Sequence, residues 1–422
     1  MEPVVVPVFL AFFVAQVGIE TALLLVNLRH VAGARGVPPA LGGVVKAETA
    51  ERSRAYTLAN GRFALVEGLT GAGLTVIVLL SGVLPWADAV LVRGGLEGAH
   101  RFVVFLAALA LVSSLVWLPF GLWRTFALEA RFGFNRTTPR TWLGDRAKSL
   151  LVQLGLGVPL LYATYGFMRF TGRLWWVWLF VFLSGFQLFM LWLYPAVIAP
   201  LFNRFEPLPE GPLRERLEAL ARDAGFRNRG LFVMDASRRS GHSNAYFTGI
   251  FRPRIVLFDT LVERMSVDEA ASVLAHEIGH YKARHVHRRL GVALASTLLG
   301  LLVLSWLVPW PPLHHAFGFP APTLHGAIAL FALGGGAFVF WLQPLASLLS
   351  RRHEYEADRF AVRIARAPAA LKSALVRLNG ENLSNLHPHP WYSGWHYSHP
   401  ALVERLAAID REAAAAPPAP AG

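Results

Sequence analysis

The pattern of apolar and polar positions divides the chain into long uncharged runs and shorter stretches that hold most of the charge. Seven apolar runs lie at about 4–28, 63–86, 102–123, 150–170, 174–199, 290–308 and 324–349, each bounded by charge or by Pro and Gly. Crossing about 30 Å of hydrocarbon takes roughly 20 helical residues, so each run reads as a membrane span. The fourth is the weakest, because Tyr162, Tyr165 and several glycines dilute it. Between the fifth and sixth runs the period changes. "PLRERLEALARDAG" has helical spacing with Gly225 as a stop, whereas "LFVMD", "NAYFTGIF" and "RIVLFD" are short β-type runs. The expected fold is an all-α polytopic membrane protein with a small α/β insert. Its parts are five spans over 1–202, the insert over 203–289, spans six and seven over 290–349, and a helical segment over 350–410. Residues 411–422, ending in "AAAAPPAPAG", read as a disordered tail.

Composition removes the soluble alternative. At 422 residues the chain could hold two or three ordinary domains, but 54% of it is hydrophobic and only 16% charged, too little to cover a soluble surface. Mean hydropathy is +0.43. The net charge of +13 does not imply nucleic acid, because the basic residues sit in alternate loops rather than on one aromatic-studded patch. Arg29, Arg35, Lys46, Arg52, Arg54 and Arg62 crowd the first loop, the second has only Arg93 and Arg101, the third is again Arg-rich, and 309–323 has no Lys or Arg. The positive-inside rule then places the N-terminus outside and the C-terminus in the cytoplasm. "MEPVVVPVFLAFF" lacks a basic leader and reads as an uncleaved first span. Arg greatly outnumbers Lys, which with abundant Ala, Gly and Pro points to a GC-rich prokaryotic genome and a bacterial inner membrane; a eukaryotic chain would sit in the ER membrane. The absence of cysteine excludes disulfides and thiolate ligands.

Candidate chemistry concentrates in "LAHEIGHYKARHVHRR", residues 274–289. Ser266 is a good N-cap, and Glu269 three residues on completes a capping box. On the helix so started, His276 and His280 are four residues apart, on one face, as two ligands of one tetrahedral zinc require. Glu277 can reach an attacking water, take its proton and pass it to a leaving amine. Gly279 leaves room for substrate or a neighbouring helix. A third ligand has candidates in "SRRHEYEADRFA": Glu354 and Asp358 are also four apart, so one can bind metal while the other orients a ligand histidine. Glu356 faces elsewhere and reads as solvated or ion-paired. Two histidines and one glutamate, with a position left for water, make a catalytic zinc site with one Zn2+ per chain. His285 can line that site; the other histidines read as interfacial or packing residues.

"HEIGHYKARH" followed by "SRRHEYEADRFA" resembles the M48 metallopeptidases of the CAAX prenyl protease 1 (Ste24) type. "LPFGLWRTFALEARFGFNRTT", "YPAVIAPLFNRFEPL", "SRRSGHSNAYFTGIFRPRIVLFDTL" and "SHPALVERL" look like blocks of that family in family order, from about residue 50 to 410. The resemblance implies seven transmembrane helices around a hydrophilic chamber. It implies His276, His280 and Glu354 as zinc ligands, Glu277 as the base and Asp358 as the residue that orients His276. Asn244 and Ala245 would hold an extended peptide on a β-edge, and His399 and Arg405 would bind the developing oxyanion or the substrate carboxyl. His353 and Glu356 depart from the family's usual aromatic and Gln without touching the inferred ligands.

Three readings follow. The first is a zinc endopeptidase cutting near the C-terminus of membrane-associated substrates, prenylated CaaX peptides among them. The second is membrane-protein quality control, as in HtpX-like M48 proteins, which have fewer spans before the HExxH helix. The third is a transporter or channel with an incidental metal site, suggested by Gln16, Glu20, Glu67, Gln153, Gln187 and Gln343 in or near the spans. A site-2-type intramembrane protease is disfavoured, because "TLVERMSVDEAAS" before His276 is too polar for a span.

Overall fold

The apolar runs become long helices. In the computed structural model, which describes residues 2–226, 229–249 and 253–415, six helical stretches are long and apolar enough to cross a membrane. A bent pair makes a seventh if counted as one span. Helix α1 (Glu2–Gly33) is followed by α2 (Ala47–Leu80), whose first four turns are polar and project beyond the apolar run. The second span ends earlier than its expected limit of 86, because Gly82 at φ 77 turns the chain into a separate α3 (Val83–Arg93). Helix α4 (Gly98–Trp123) leads into a π turn at Arg124–Glu129, and Thr138 caps α5 (Pro139–Phe170). Helix α6 (Trp175–Leu193) passes through a second π turn into α7 (Ala199–Phe202). That turn contains Pro195, whose missing N–H breaks the regular hydrogen-bond ladder.

The insert comes next: β1 (Phe205–Pro207), α8 (Pro212–Asp223), β2 (Leu231–Met234), β3 (Ala245–Thr248), β4 (Arg254–Phe258), α9 (Asp259–Arg264) and α10 (Val267–Lys282). Helix α11 (His285–Leu307) re-enters the membrane region, and α12 (Pro311–Ala316) lies beyond it. The bent span joins α13 (Leu324–Gly334) at 42° to the stretch Gly336–Ala365, which holds α14 (Gly336–Val339) and α15 (Gln343–Ala365). Helices α16 (Pro368–Glu381), α17 (Pro390–His396) and α18 (Leu402–Ala415) complete the chain.

The spans touch in a closed sequence. Helix α1 packs on α2, α4 on α5, α5 on α6, α6 on α11, α11 on α13, and α14 on α1. Helix α2 meets the π turn that follows α4 through Glu67 and Arg124, 2.7 Å apart. Yet no more than 22% of the most apolar window of any of the six is buried. The spans thus leave most of their apolar surface uncovered by protein, as surface facing lipid does. Polar pairs occur along the spans, Gln16 with Glu20 at 3.3 Å and Gln187 with Thr297 at 3.0 Å. Such groups persist within spans where they find partners or water.

The two ends of the ring differ. One is closed by an apolar cluster including Phe9, Leu79, Leu84, Phe105, Leu313, Phe319 and Leu330. Inside it, buried Asp88 accepts from Arg101 Nε at 2.6 Å and lies 2.7 Å from His325 Nε2. The other end carries the insert and the C-terminal helices. Among the described residues the insert has one sheet, in the order β1-β2-β4-β3, with β2 and β4 parallel and the outer pairings antiparallel. Alternate residues of β4 face opposite sides: Ile255 and Leu257 enter the main core with Leu217, Leu261, Leu274 and Ile278, while Val256 packs with Met234 on the other face.

Several boundaries differ from expectation. The strand β1 is too short to have left a periodic signal. One helix crosses the expected boundary at 289, and another crosses that at 349, so the insert and the C-terminal segment are rigidly joined to spans. Residues 411–415, expected as tail, are helical because Ile409 docks α18 on the core. The rest of the expected tail, 416–422, and residues 250–251 of "NAYFTGIF" lie outside the described residues.

Candidate active site

Helix α10 starts where the capping box predicts: Ser266 Oγ accepts from Glu269 N, and Glu269 Oε2 accepts from Ser266 N at 2.9 Å. The Glu269 carboxylate also accepts from Ser373 Oγ at 2.6 Å and from Arg377 at 3.3 Å, tying the helix start to α16. Along α10, Ala270, Ala271, Ala275 and Gly279 keep the surface small, so α8, α15 and α16 close around it. At Gly279 the approach is tightest. A Cβ there would lie 3.0 Å from Ala357 Cα and 3.1 Å from Ala357 O. The room Gly279 leaves is therefore filled by α15, and this crossing brings the two halves of the site together.

His276 Nε2 and His280 Nε2 are 3.2 Å apart. Glu354, on α15, places Oε2 3.4 Å from the first and Oε1 3.2 Å from the second. Ligands about 2.0–2.1 Å from a tetrahedral ion are separated by roughly 3.3 Å, so the three donors fit a zinc-sized metal. Among the described residues these three form the one group whose ligand atoms converge in this way. His276 Nδ1 lies 2.8 Å from Asp358 Oδ1, which takes its proton and leaves the Nε2 lone pair free. Glu354 Oε2 is buried and receives no well-directed hydrogen bond, although His399 Nδ1 lies 2.7 Å away. A cation satisfies that oxygen, and the donor set fits one.

Electrostatics at the site follow burial and these contacts. Burial alone would lower the His276 pKa, but hydrogen bonds to Asp358 and Glu354 push it up to about 9. A metal must displace that proton. His280 is held below its ordinary value, first by burial. Burial also pushes the Glu277 carboxyl above the usual carboxylate range, and the charge of Glu354 adds to this. A carboxylate with raised proton affinity suits a group that takes up and returns a proton.

The remaining candidates are placed as follows. His399 stands beside Glu354 with much of its ring exposed. Arg405 is largely buried, and its Nε and Nη2 donate to Asp358 at 2.9 and 2.6 Å. Asp358 takes two of its nitrogens, and the third, Nη1, lies 3.9 Å from Glu354 Oε2. Asn244 and Ala245 lie at the start of β3, the edge strand of the sheet, whose outer side has no strand partner among the described residues. Asn244 Oδ1 accepts from Ala245 N at 2.8 Å. Glu356 is ion-paired, 2.9 Å from His285 Nε2 and 3.6 Å from Arg288. His285 in turn sets its Nδ1 2.9 Å from His280 Nδ1. Spacing could not reveal this contact, since it depends on a helix break at Arg284, whose φ is 56.

Residues 27–204 match the family model described as the CAAX prenyl protease N-terminal region of five membrane helices. Residues 207–413 match that of peptidase family M48. The chain is 39% identical to a CAAX prenyl protease 1 homolog of Oryza sativa over 89% of this chain and 90% of the relative. It is 34% identical to CAAX prenyl protease 1 of Saccharomyces cerevisiae over 94% of each. The crystal structure of S. mikatae Ste24p superposes with a TM-score of 0.89 at 33% identity, covering 95% of this chain and 98% of that one.

Proposed function

The chain belongs to peptidase family M48 as a CAAX prenyl protease 1 homologue, a multi-pass membrane metalloprotease, and from that premise we propose that it cuts near the C-terminus of membrane-attached CaaX-type peptides. The observation that carries this reading is the convergence of His276, His280 and Glu354 at 3.2–3.4 Å beside Glu277. Zinc is the ion assigned, because two His and one Glu with a position left open are the donor set of a catalytic zinc. When bound, the metal supplies a Lewis acid that polarises the scissile carbonyl and lowers the pKa of water.

The chain's own residues do the rest. Glu277 accepts the proton of the attacking water and returns it to the leaving amine, so that the peptide bond becomes a carboxylate and an amine. Asp358 holds the His276 ring, and Arg405 holds Asp358. His399, open on one side, donates to the developing oxyanion or to the substrate carboxyl. The free edge of β3 at Asn244 and Ala245 receives the peptide in extended form.

The five-helix N-terminal match favours this reading over HtpX-like quality control, and the peptidase match favours it over a transporter. The basic loops support a cytoplasmic active site, with a bacterial inner membrane favoured by the Arg-for-Lys skew. The test is the mass of products from farnesylated and unprenylated CaaX peptides. Wild-type protein is expected to release the C-terminal tripeptide from the farnesylated peptide, and Glu277→Gln to bind zinc without cleaving. Cleavage by Glu277→Gln at the wild-type rate would overturn the mechanism, and no CaaX cleavage by zinc-loaded wild type would overturn the substrate assignment.

A further inference from the structure

Asp358 fixes the tautomer of His276, but among the described residues no carboxylate touches the outer nitrogen of His280. Its Nδ1 instead faces His285 Nδ1 at 2.9 Å, and His285 Nε2 lies 2.9 Å from Glu356 Oε2. We propose that His285 and Glu356 form a hydrogen-bonded relay that orients His280 and holds its proton on Nδ1, leaving Nε2 free for the metal.

Hydrogen logic permits two arrangements for neutral rings. Two facing nitrogens bond only when one carries the hydrogen. If His280 Nδ1 donates, the proton of His285 sits on Nε2 and is given to the Glu356 carboxylate. In the reverse case His285 Nε2 turns a lone pair on that carboxylate, and His280 carries its proton on Nε2, aimed at Glu354 Oε1 3.2 Å away. His280 would then be a hydrogen-bond donor to Glu354 rather than a ligand. An acceptor oxygen at position 356 selects the first arrangement through His285. Helix α15 thus supplies Glu354 to the metal, Asp358 to one ligand ring directly and Glu356 to the other at one remove.

The backbone is built for this contact. On a continuous helix, five residues turn about 140° around the axis, and His285 would point away from His280. The chain instead leaves α10 at Ala283 and Arg284, the latter with φ 56, and starts α11 at His285, returning its ring to His280. The His285 side chain is only 1% exposed. His353 stacks on it with centroids 4.0 Å apart and planes within 18°, while Arg288 accompanies Glu356. The two positions noted as family departures, 353 and 356, are thus the residues that hold the His285 ring.

The inference rests on the metalloprotease reading, and zinc binding by the wild type tests that reading separately. Purified full-length protein is titrated with Zn2+ against a chelator buffer, and the chelated protein is melted in parallel. His285→Phe keeps a ring to stack on His353 but has no nitrogens; Glu356→Leu removes the acceptor; Glu356→Gln keeps one. Partners of this kind are worth roughly 10–100-fold in metal affinity. His285→Phe and Glu356→Leu are expected to raise the zinc Kd by that factor without lowering the melting temperature of the chelated protein, and Glu356→Gln to stay near wild type. The proposal is overturned if either of the first two keeps wild-type affinity, if Gln is as damaging as Leu, or if the chelated variants melt early in proportion to the affinity lost.

Discussion

Gly279→Ala isolates the helix crossing on which the site depends. The added Cβ would lie 3.0 Å from Ala357 Cα, 3.1 Å from Ala357 O and 3.1 Å from Phe360 Cβ. Carbon atoms pack at about 3.5–4.0 Å, so α15 must retreat by about 0.5 Å. Two of the three atoms belong to the backbone and cannot rotate away. Ala357 lies between Glu354 and Asp358, so the retreat carries both off α10, while a metal site tolerates only about 0.2 Å in its ligand distances. In stability the effects nearly offset. Ala gains about 1 kcal/mol of helix propensity over Gly, and overpacking costs about 1–3 kcal/mol, leaving a net loss of roughly 0–2 kcal/mol. Metal affinity is the sensitive readout: the zinc Kd is expected to rise at least tenfold, about 1.4 kcal/mol, in a chelator-buffered titration, with cleavage falling in step. A Gly279→Ala protein with wild-type zinc affinity would refute the claim that this contact sets the donor spacing.

Two further predictions concern regions away from the metal. Asp88→Ala strands Arg101 and His325 in the closed end of the ring; removing one partner of a buried pair costs on the order of 3–5 kcal/mol. A clearly lower melting temperature is expected, and an unchanged one would show that the network holds nothing. His242 joins the insert to the membrane region, stacked on Phe134 at 4.0 Å, with Nε2 3.4 Å from Glu129 and Nδ1 3.0 Å from Asn382. Burial lowers its pKa, but Glu129 and Asn382 outweigh that and raise it above 6.5. A raised folded-state pKa contributes stability that is fully present below about pH 6.5 and is lost as pH rises through the folded value. His242→Gln should flatten the pH dependence of melting above pH 6.5; an identical slope in both proteins would discard this contact as a source of pH sensitivity.

Much of the molecule was legible in its local patterns. Apolar runs of span length reveal themselves because each residue's preference for hydrocarbon is independent of the rest of the fold. The capping box at Ser266 and Glu269 is equally local, closing within one turn. So are the two imidazoles of His276 and His280, set by helical pitch alone. The strand β1, three residues long, was too brief to show a period, and the π turns and the bend in the last span left no signal that hydropathy reads.

By itself, then, the chain's order of residues determined the spans, the insert, the two histidines and the glutamate beside them. Spacing left Glu354 and Asp358 as candidates for the third ligand, the resemblance implied Glu354, and packing sets that carboxylate against the two histidines. Glu354 faces the Nε2 atoms and Asp358 the Nδ1 of His276, because α15 crosses α10 with Ala357 against Gly279. Likewise only the docking of α18 shows that Arg405 contacts Asp358, and only the break at Arg284 shows that the partner of Glu356, expected as solvated or ion-paired, is His285. The reason is the same in each case. Periodicity records which face a residue occupies on its own element, whereas a site joining residues about 80 positions apart is set by how closely two backbones can approach.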